Sequence, residues 1–195
     1  MKIQNPRILI LGHGRHGKDL FADALRRQYG LKFSSSSYAA AKIFLFDKLK
    51  DEYGYKTFDE CYEDRHNRRK EWYDAISEYN SDDKAFLAKK IMEKNDIYVG
   101  MRSSEEINAC KKAGLFDTII WVYRPGIALE SADSFDIGIG HADFVVFNDG
   151  SIEDLDQKAA DFMNFWIAGK RFHETYVSPA EATRRVMQEA PPITS

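Results

Sequence analysis

The sequence predicts an α/β protein: a parallel sheet flanked by helices, with an added helix at the C-terminal end. Three observations predict it. Short apolar runs that read as buried strands alternate with segments of helical periodicity along most of the chain, the pattern of strands joined by crossover helices. The first run, Ile8-Leu9-Ile10-Leu11, leads directly into a glycine-rich loop and then a helix. The chain has 195 residues, 44% hydrophobic and 30% charged, which suits a globular domain able to bury a core.

Each element has a local reason. Arg7–Leu11 is a short buried strand, and Lys18–Gln28 is a helix with Leu20, Phe21, Ala24 and Leu25 on one face, stopped by Gly30. Lys32–Ser34 is a second strand, leading into four serines at 34–37. Tyr38–Lys50 reads as a helix. The aromatic and charged stretch Thr57–Asn80 reads as helical but divided, and Asp82 caps a helix running to about Lys94. Asp96–Val99 is a strand. Ser103-x-x-Glu106 has the form of a capping box for a helix carrying Ile107, Cys110 and Ala113, with Gly114 at its end. Thr118–Val122 is a strand, Gly126–His141 is irregular, and Asp143–Phe147 is the last strand. Asn148-Asp149-Gly150 turns the chain. Ser151-x-x-Asp154 then starts an amphipathic helix with Ile152, Leu155, Ala159, Phe162 and Trp166 inward. Ser178-Pro179-Ala180-Glu181 starts the added helix, and Pro191-Pro192 closes it. These landmarks divide the chain into a main domain, 1–170, and a C-terminal helical extension, 171–195.

Composition narrows the function classes. Twenty-eight basic residues against 31 acidic give a net charge of −3, so no global positive field marks a nucleic-acid binder. Cys61 and Cys110 lie far apart in sequence and read as reduced thiols. No apolar stretch has membrane length. The expectation is a soluble, cytoplasmic protein with no membrane partner.

The chemistry begins at Gly12-His13-Gly14-Arg15-His16-Gly17-Lys18-Asp19. This stretch fits the phosphate-binding pattern G-x-x-x-x-G-K-[ST] at every fixed position but the last, where Asp19 stands. Glycines let backbone N–H groups turn onto an anion, the following helix points its positive end there, and Lys18 reaches the terminal phosphates. The strand–loop–helix context supports a nucleoside-triphosphate site in a P-loop NTPase-like sheet. Arg15 reads either as a phosphate contact or as a solvated loop residue. His13 and His16 pack under the loop or donate to it, and no third ligand nearby makes them a metal site.

Other residues suit a second, anionic substrate. Arg102 stands just beyond the carboxyl end of a strand, the edge where α/β sheets bind ligands. Arg124 follows the next strand. Arg65, Arg68, Arg69 and Trp72, a turn apart, could share a helix face. They read either as a solvated helix with Trp72 buried, or as arginine forks for a phosphate beside an aromatic wall for a base. The same cluster would suit a DNA backbone. Ser34 and the serines after it are hydrogen-bond donors to an acceptor or a linker, and Asp149 reads as mainly structural.

Four motifs in this order carry a resemblance: the loop Gly12–Asp19, Tyr98-Val99-Gly100-Met101-Arg102-Ser103, Trp121-Val122-Tyr123-Arg124-Pro125, and the stretch from His141-Ala142-Asp143 to Asn148-Asp149-Gly150. The chain resembles the bacteriophage deoxynucleoside monophosphate kinases, within the thymidylate-kinase-like P-loop kinases. The resemblance implies ATP as phosphate donor, Mg²⁺ as cofactor and a small deoxynucleotide as acceptor, acting in host cytoplasm, and it allows a homodimer. It implies acceptor recognition by Arg102 and a lid arginine at Arg124, so that Lys18, Arg102 and Arg124 would be the catalytic cations. Ser34, Arg65, Arg69 and Trp72 would serve the acceptor. Two departures stand out. Leu20 follows Asp19 where the family often has Thr, and the strand Asp96–Val99 ends in Gly100-Met101-Arg102 rather than an acidic residue. The metal assignment therefore rests on Asp19. Phage kinases that phosphorylate 5-hydroxymethyluridine inside DNA resemble the same family, and that acceptor is the alternative. A third reading is a non-catalytic nucleotide-binding module.

Overall fold

The computed structural model describes residues 5–130, 135–168 and 177–189. Five parallel strands, β1 (Ile8–Leu11), β2 (Phe33–Ser35), β3 (Ile97–Val99), β4 (Thr118–Tyr123) and β5 (Phe144–Phe147), lie in the order β2-β3-β1-β4-β5. Parallel neighbours require crossovers, and helices supply them. The order reverses at β1, which pairs with β3 through Ile8↔Ile97 on one side and with β4 through Ile8↔Thr118 on the other. That reversal opens a crevice at the carboxyl ends of the strands.

Alternate strand residues face opposite sides, and both sides are covered. Ile8, Ile10, Ile120, Val122 and Phe144 pack on α1 (Lys18–Tyr29) and α8 (Ile152–Ala168) through Phe21, Leu25, Leu155 and Phe162. Leu9, Leu11, Tyr98, Trp121 and Val145 face the other helices. Burial on both faces explains the unbroken apolar runs that betrayed the strands.

The second face is the more irregular. Serines at the end of β2 run into α2 (Ser36–Ala40), where Ser35 Oγ accepts from the Tyr38 N–H at 3.3 Å. The helix continues through a π-helical stretch, Ala41–Leu45, into α3 (Phe46–Tyr53), so it begins two residues earlier than its periodicity predicts. The divided helical region is α4 (Phe58–Asp64) and α5 (Arg69–Tyr79). Asp64 causes the division by binding the residues that follow it: Asn67 Nδ2 at 2.8 Å and Arg68 Nε at 2.6 Å. Arg65, Arg68 and Arg69 therefore stand at a joint between two helices, not on one helical face. The next helix, α6, is shorter than expected, Phe86–Met92. Asp83 rather than Asp82 supports its start, accepting from the Ala85 N–H at 3.0 Å.

Three other expectations are corrected. Ser103 makes no side-chain cap for α7 (Ser104–Lys112), because Glu106 is turned inward. Leu20 and Ile152 are 47% and 59% exposed, each in the first turn of its helix, where the helix rim faces solvent. By contrast Ser151 and Asp154 do form reciprocal bonds at the start of α8, at 2.8 and 3.2 Å. The added helix, α9 (Pro179–Glu189), packs beside β5. Ala182 is wholly buried, and the Val145 N–H donates to the Val177 carbonyl at 3.3 Å. The boundary placed at 170/171 and the closing Pro191-Pro192 lie outside the described residues, as do 131–134 of the irregular segment. Cys61 and Cys110 are buried free thiols. Among the described residues no helix is long and apolar enough to cross a membrane.

Candidate active site

The phosphate loop joins β1 to α1 at the crevice. Two of its glycines are dictated by contact. Gly12 has φ 136°, and a Cβ there would run into the Val122 carbonyl of β4. Gly17 has φ 94°, and a Cβ there would strike the Asn148 side-chain amide. Asn148, just past β5, is nearly buried and holds the loop from below. Its Nδ2 donates to the His16 carbonyl at 3.1 Å, and its own N–H donates to Tyr123 O at 2.7 Å. The sequence offered Asn148 only as part of a turn.

His13 and His16 tie the loop to the segment after β4. His16 is fully buried, and its Nδ1 accepts from the Arg124 N–H at 3.1 Å. His13 Nδ1 accepts from the Glu130 N–H at 3.1 Å, and its ring lies 4.4 Å from that of Phe135. Both bonds need a bare Nδ1. Burial, reinforced by His13 and by Lys18, lowers His16 to about 4. Burial likewise lowers His13, with Lys18 and Arg102 adding to it and Glu130 opposing. The neutral histidines thus fasten both ends of residues 124–130 over the loop.

That fastening delivers Glu130, a residue no motif singled out. Its carboxylate is mostly enclosed and accepts from the Gly14 N–H at 2.8 Å, from Arg69 at 2.7 Å and from Arg102 at 2.9 Å. Burial alone would raise its pKa. The charge and hydrogen bond of Arg102, with the Gly14 N–H and Lys18, outweigh burial and hold it below the usual value. One anion therefore spans the donor loop and two arginines from separate elements. Lys18 folds back to donate to the His13 carbonyl at 2.6 Å, and burial, partly offset by Asp19 and Glu130, lowers it to about 8.

From this point a cavity of about 390 Å³ extends between α5 and the β3–α7 corner. Gly14, Arg15, Lys18 and Asp19 form one end. Arg65, Arg69, Trp72 and Arg102 line its wall, together with Tyr62 and Tyr73. Arg65 lies over the Tyr62 ring at 3.8 Å and donates to the Tyr62 carbonyl at 2.6 Å. Trp72 is 4% exposed, so it is at once core and cavity wall. Arg68 is turned away, bonded to Asp64 and Tyr55 and stacked on Tyr53. Of the loop, Gly12, His13, His16 and Gly17 lie outside the lining, and so do two of the expected acceptor and catalytic residues, Ser34 and Arg124. Ser34 bonds its neighbour Ser35, and of the four serines 34–37 it is Ser35, Ser36 and Ser37 that line the cavity. Arg124 is exposed and meets the loop through its backbone.

No protein-family model matches the sequence, and no curated protein matches it. Among solved structures, dephospho-CoA kinase from Campylobacter jejuni superposes with TM-score 0.50 at 18% identity, covering 83% of this chain and 97% of that one. A sugar kinase from Janibacter sp. HTCC2649 (TM-score 0.44, 12% identity, 86% and 99% covered) and a gluconokinase from Sinorhizobium meliloti 1021 (0.41, 11%, 84% and 97%) are more distant in shape. The chain shares the fold of the dephospho-CoA kinase.

Two outcomes are expected from this geometry. Glu130→Gln removes the competing charge, and ATP should bind about tenfold more tightly by calorimetry, a gain of roughly 1.4 kcal/mol. Equal or weaker binding would mean that Glu130 does not stand in the phosphate position. His16 is neutral in the fold, with a pKa near 4 against about 6.5 unfolded. Its stabilisation is complete above pH 6.5 and is lost as pH falls toward 4, by up to about 3 kcal/mol. Thermal unfolding of the native protein and of His16→Asn across that window should show the steeper loss in the native protein; parallel curves would contradict the role of the neutral ring.

Proposed function

We propose that the protein is an ATP-dependent kinase that transfers the γ-phosphate to a deoxynucleoside monophosphate. The observation that carries this reading is the place of the Glu130 carboxylate, held at once by the loop's Gly14 N–H and by Arg69 and Arg102 of the cavity wall. Phosphoryl transfer needs in-line positioning and positive charge on the moving group more than covalent help. A group in that position touches the donor loop on one side and the acceptor arginines on the other. In this reading Lys18 follows the donor's terminal phosphates, Arg69 and Arg102 clamp the acceptor phosphate, and Trp72 and Tyr73 flank its base. Arg15 lies in the cavity lining and Arg124 outside it, its backbone N–H on His16.

The residues fit a nucleotide-bound Mg²⁺. Asp19 is exposed on the first turn of α1 in the cavity wall, and no cluster of three metal-ligating side chains occurs among the described residues. Mg²⁺ accepts one or two carboxylates together with phosphate oxygens and water. The ion would neutralise phosphate charge, with Asp19 as its protein ligand.

A free nucleotide is favoured over modified DNA by how the basic cluster is used. Arg68 is bound to Asp64, Arg65 covers Tyr62, and Arg69 and Arg102 point at one shared anion. That leaves a site for one phosphate rather than a track of several. In this reading the protein acts in the cytoplasm, where nucleotides are metabolised.

Lys18→Ala should leave the thermal midpoint within a few degrees of the native value and cut turnover about a hundredfold or more, the loss of roughly 3 kcal/mol of transition-state stabilisation. The assay is ATP consumption with each deoxynucleoside monophosphate and, in parallel, with DNA containing 5-hydroxymethyluracil. Near-native turnover in the folded variant, or activity on the DNA alone, would contradict the reading.

A further inference from the structure

Glu106 is a buried carboxyl that neither the phosphate chemistry nor the helix start uses. Its position after Ser103 suits a capping box, yet it turns inward and is 8% exposed, in the wall of the cavity. Asn80 Nδ2 donates to Glu106 Oε1 at 2.7 Å, and Asn80 is itself fixed because its Oδ1 accepts from the Leu87 N–H at 2.9 Å. Glu106 Oε2 has no hydrogen-bond partner among the described residues. No cation pairs with it either: the nearby Lys84 contacts Glu105 at 3.5 Å. Burial raises its pKa, with Asp136 and Glu105 adding to that and Asn80 and Lys84 opposing. The second oxygen borders the cavity, where a bound molecule can donate to it.

The surroundings say what kind of donor. Trp72, Tyr73 and Ile76 of α5 with Tyr98 and Met101 of the β3 corner give the same cavity flat, largely apolar walls, suited to a planar ring. The same cavity is lined by Lys18 and by Arg69 and Arg102, which meet at Glu130. A molecule with a phosphate at one end and a nitrogenous ring at the other matches this polarity.

We propose that Glu106 is the residue that selects the acceptor's base, its free oxygen accepting a hydrogen bond from an exocyclic amino group. This rests on the reading that the cavity is the acceptor site. Amino-bearing bases (cytosine, adenine, guanine) satisfy the carboxylate. The imide edge of thymine or uracil sets its one N–H between two carbonyl oxygens, whose lone pairs face the carboxylate. Rejection of that edge is the specificity device, because a site built to bond a substrate N–H discriminates strongly against a mismatched group.

The test is binding, read apart from turnover. Calorimetric Kd values for dCMP, dAMP, dGMP and dTMP are measured on the native protein and on Glu106→Gln, with ATP affinity, thermal midpoint and kcat/KM for each acceptor alongside. The native protein should bind at least one amino-bearing nucleotide ~10-fold or more tighter than dTMP, and turnover should follow the same order. Glu106→Gln, which offers a donor as well as an acceptor, should shrink that preference about tenfold, chiefly through acceptor KM, while ATP affinity stays within about twofold. It should also unfold at no lower temperature, since a neutral amide replaces a buried carboxyl. A native preference for dTMP, or an unchanged ranking in Glu106→Gln, overturns the assignment of Glu106. The native ranking alone decides the matter if the variant does not fold. Amino-selective binding without phosphoryl transfer would instead uphold Glu106 and sink the kinase reading.

Discussion

Three cations, Lys18, Arg69 and Arg102, are brought together at a cavity, and they tolerate each other because the Glu130 carboxylate lies among them, with Asp19 beside Lys18. Like charges about 5 Å apart repel by roughly 3 kcal/mol at an effective dielectric of 20. The Glu130 carboxylate relieves that repulsion and takes the Gly14 N–H as well. The arrangement is complementary to an anion whichever anion fills it. This is the property a transferring phosphoryl group requires of its surroundings, and it is achieved here by convergence of elements far apart in the chain.

The rest of the architecture serves that convergence. Reversal of strand order at β1 sets the phosphate loop beside the ends of β3 and β4. Close approach of the loop to Val122 and Asn148 leaves room only for glycine at 12 and 17. The two loop histidines stay uncharged so that their Nδ1 atoms can hold the backbone of Arg124 and Glu130. The joint at Asp64 breaks a long helix in two and so puts Arg69 at the start of α5, facing the loop.

Much of this fold was legible because its signals are local. Ile8–Leu11 buries both faces, Gly30 adopts the left-handed conformation that ends α1, and Ser151 with Asp154 close a capping box across three residues. The phosphate loop was legible for the same reason: its chemistry is written in eight consecutive residues. What escaped is set by long-range contacts. Glu130 lies in a segment without periodicity, and its partners are 116, 61 and 28 residues away. Glu106 satisfied a local capping pattern, but Asn80, 26 residues away, captured it. Leu20 and Ile152 fit an apolar stripe, yet a stripe does not say where the helix rim leaves the sheet. An acidic residue in an irregular stretch that follows a strand, opposite a phosphate loop, was the one available hint of Glu130.

In the proposed reaction the Glu130 carboxylate holds the place of the group being transferred. This placement is tested most directly by a crystal structure with a bisubstrate mimic, adenosine joined through a polyphosphate bridge to a deoxynucleoside. A bridging phosphate should sit on the Gly14 N–H, Arg69 and Arg102, with Lys18 released from the His13 carbonyl and Glu130 withdrawn. Glu130 still bonded to all three donors, with the polyphosphate bound elsewhere, would contradict it.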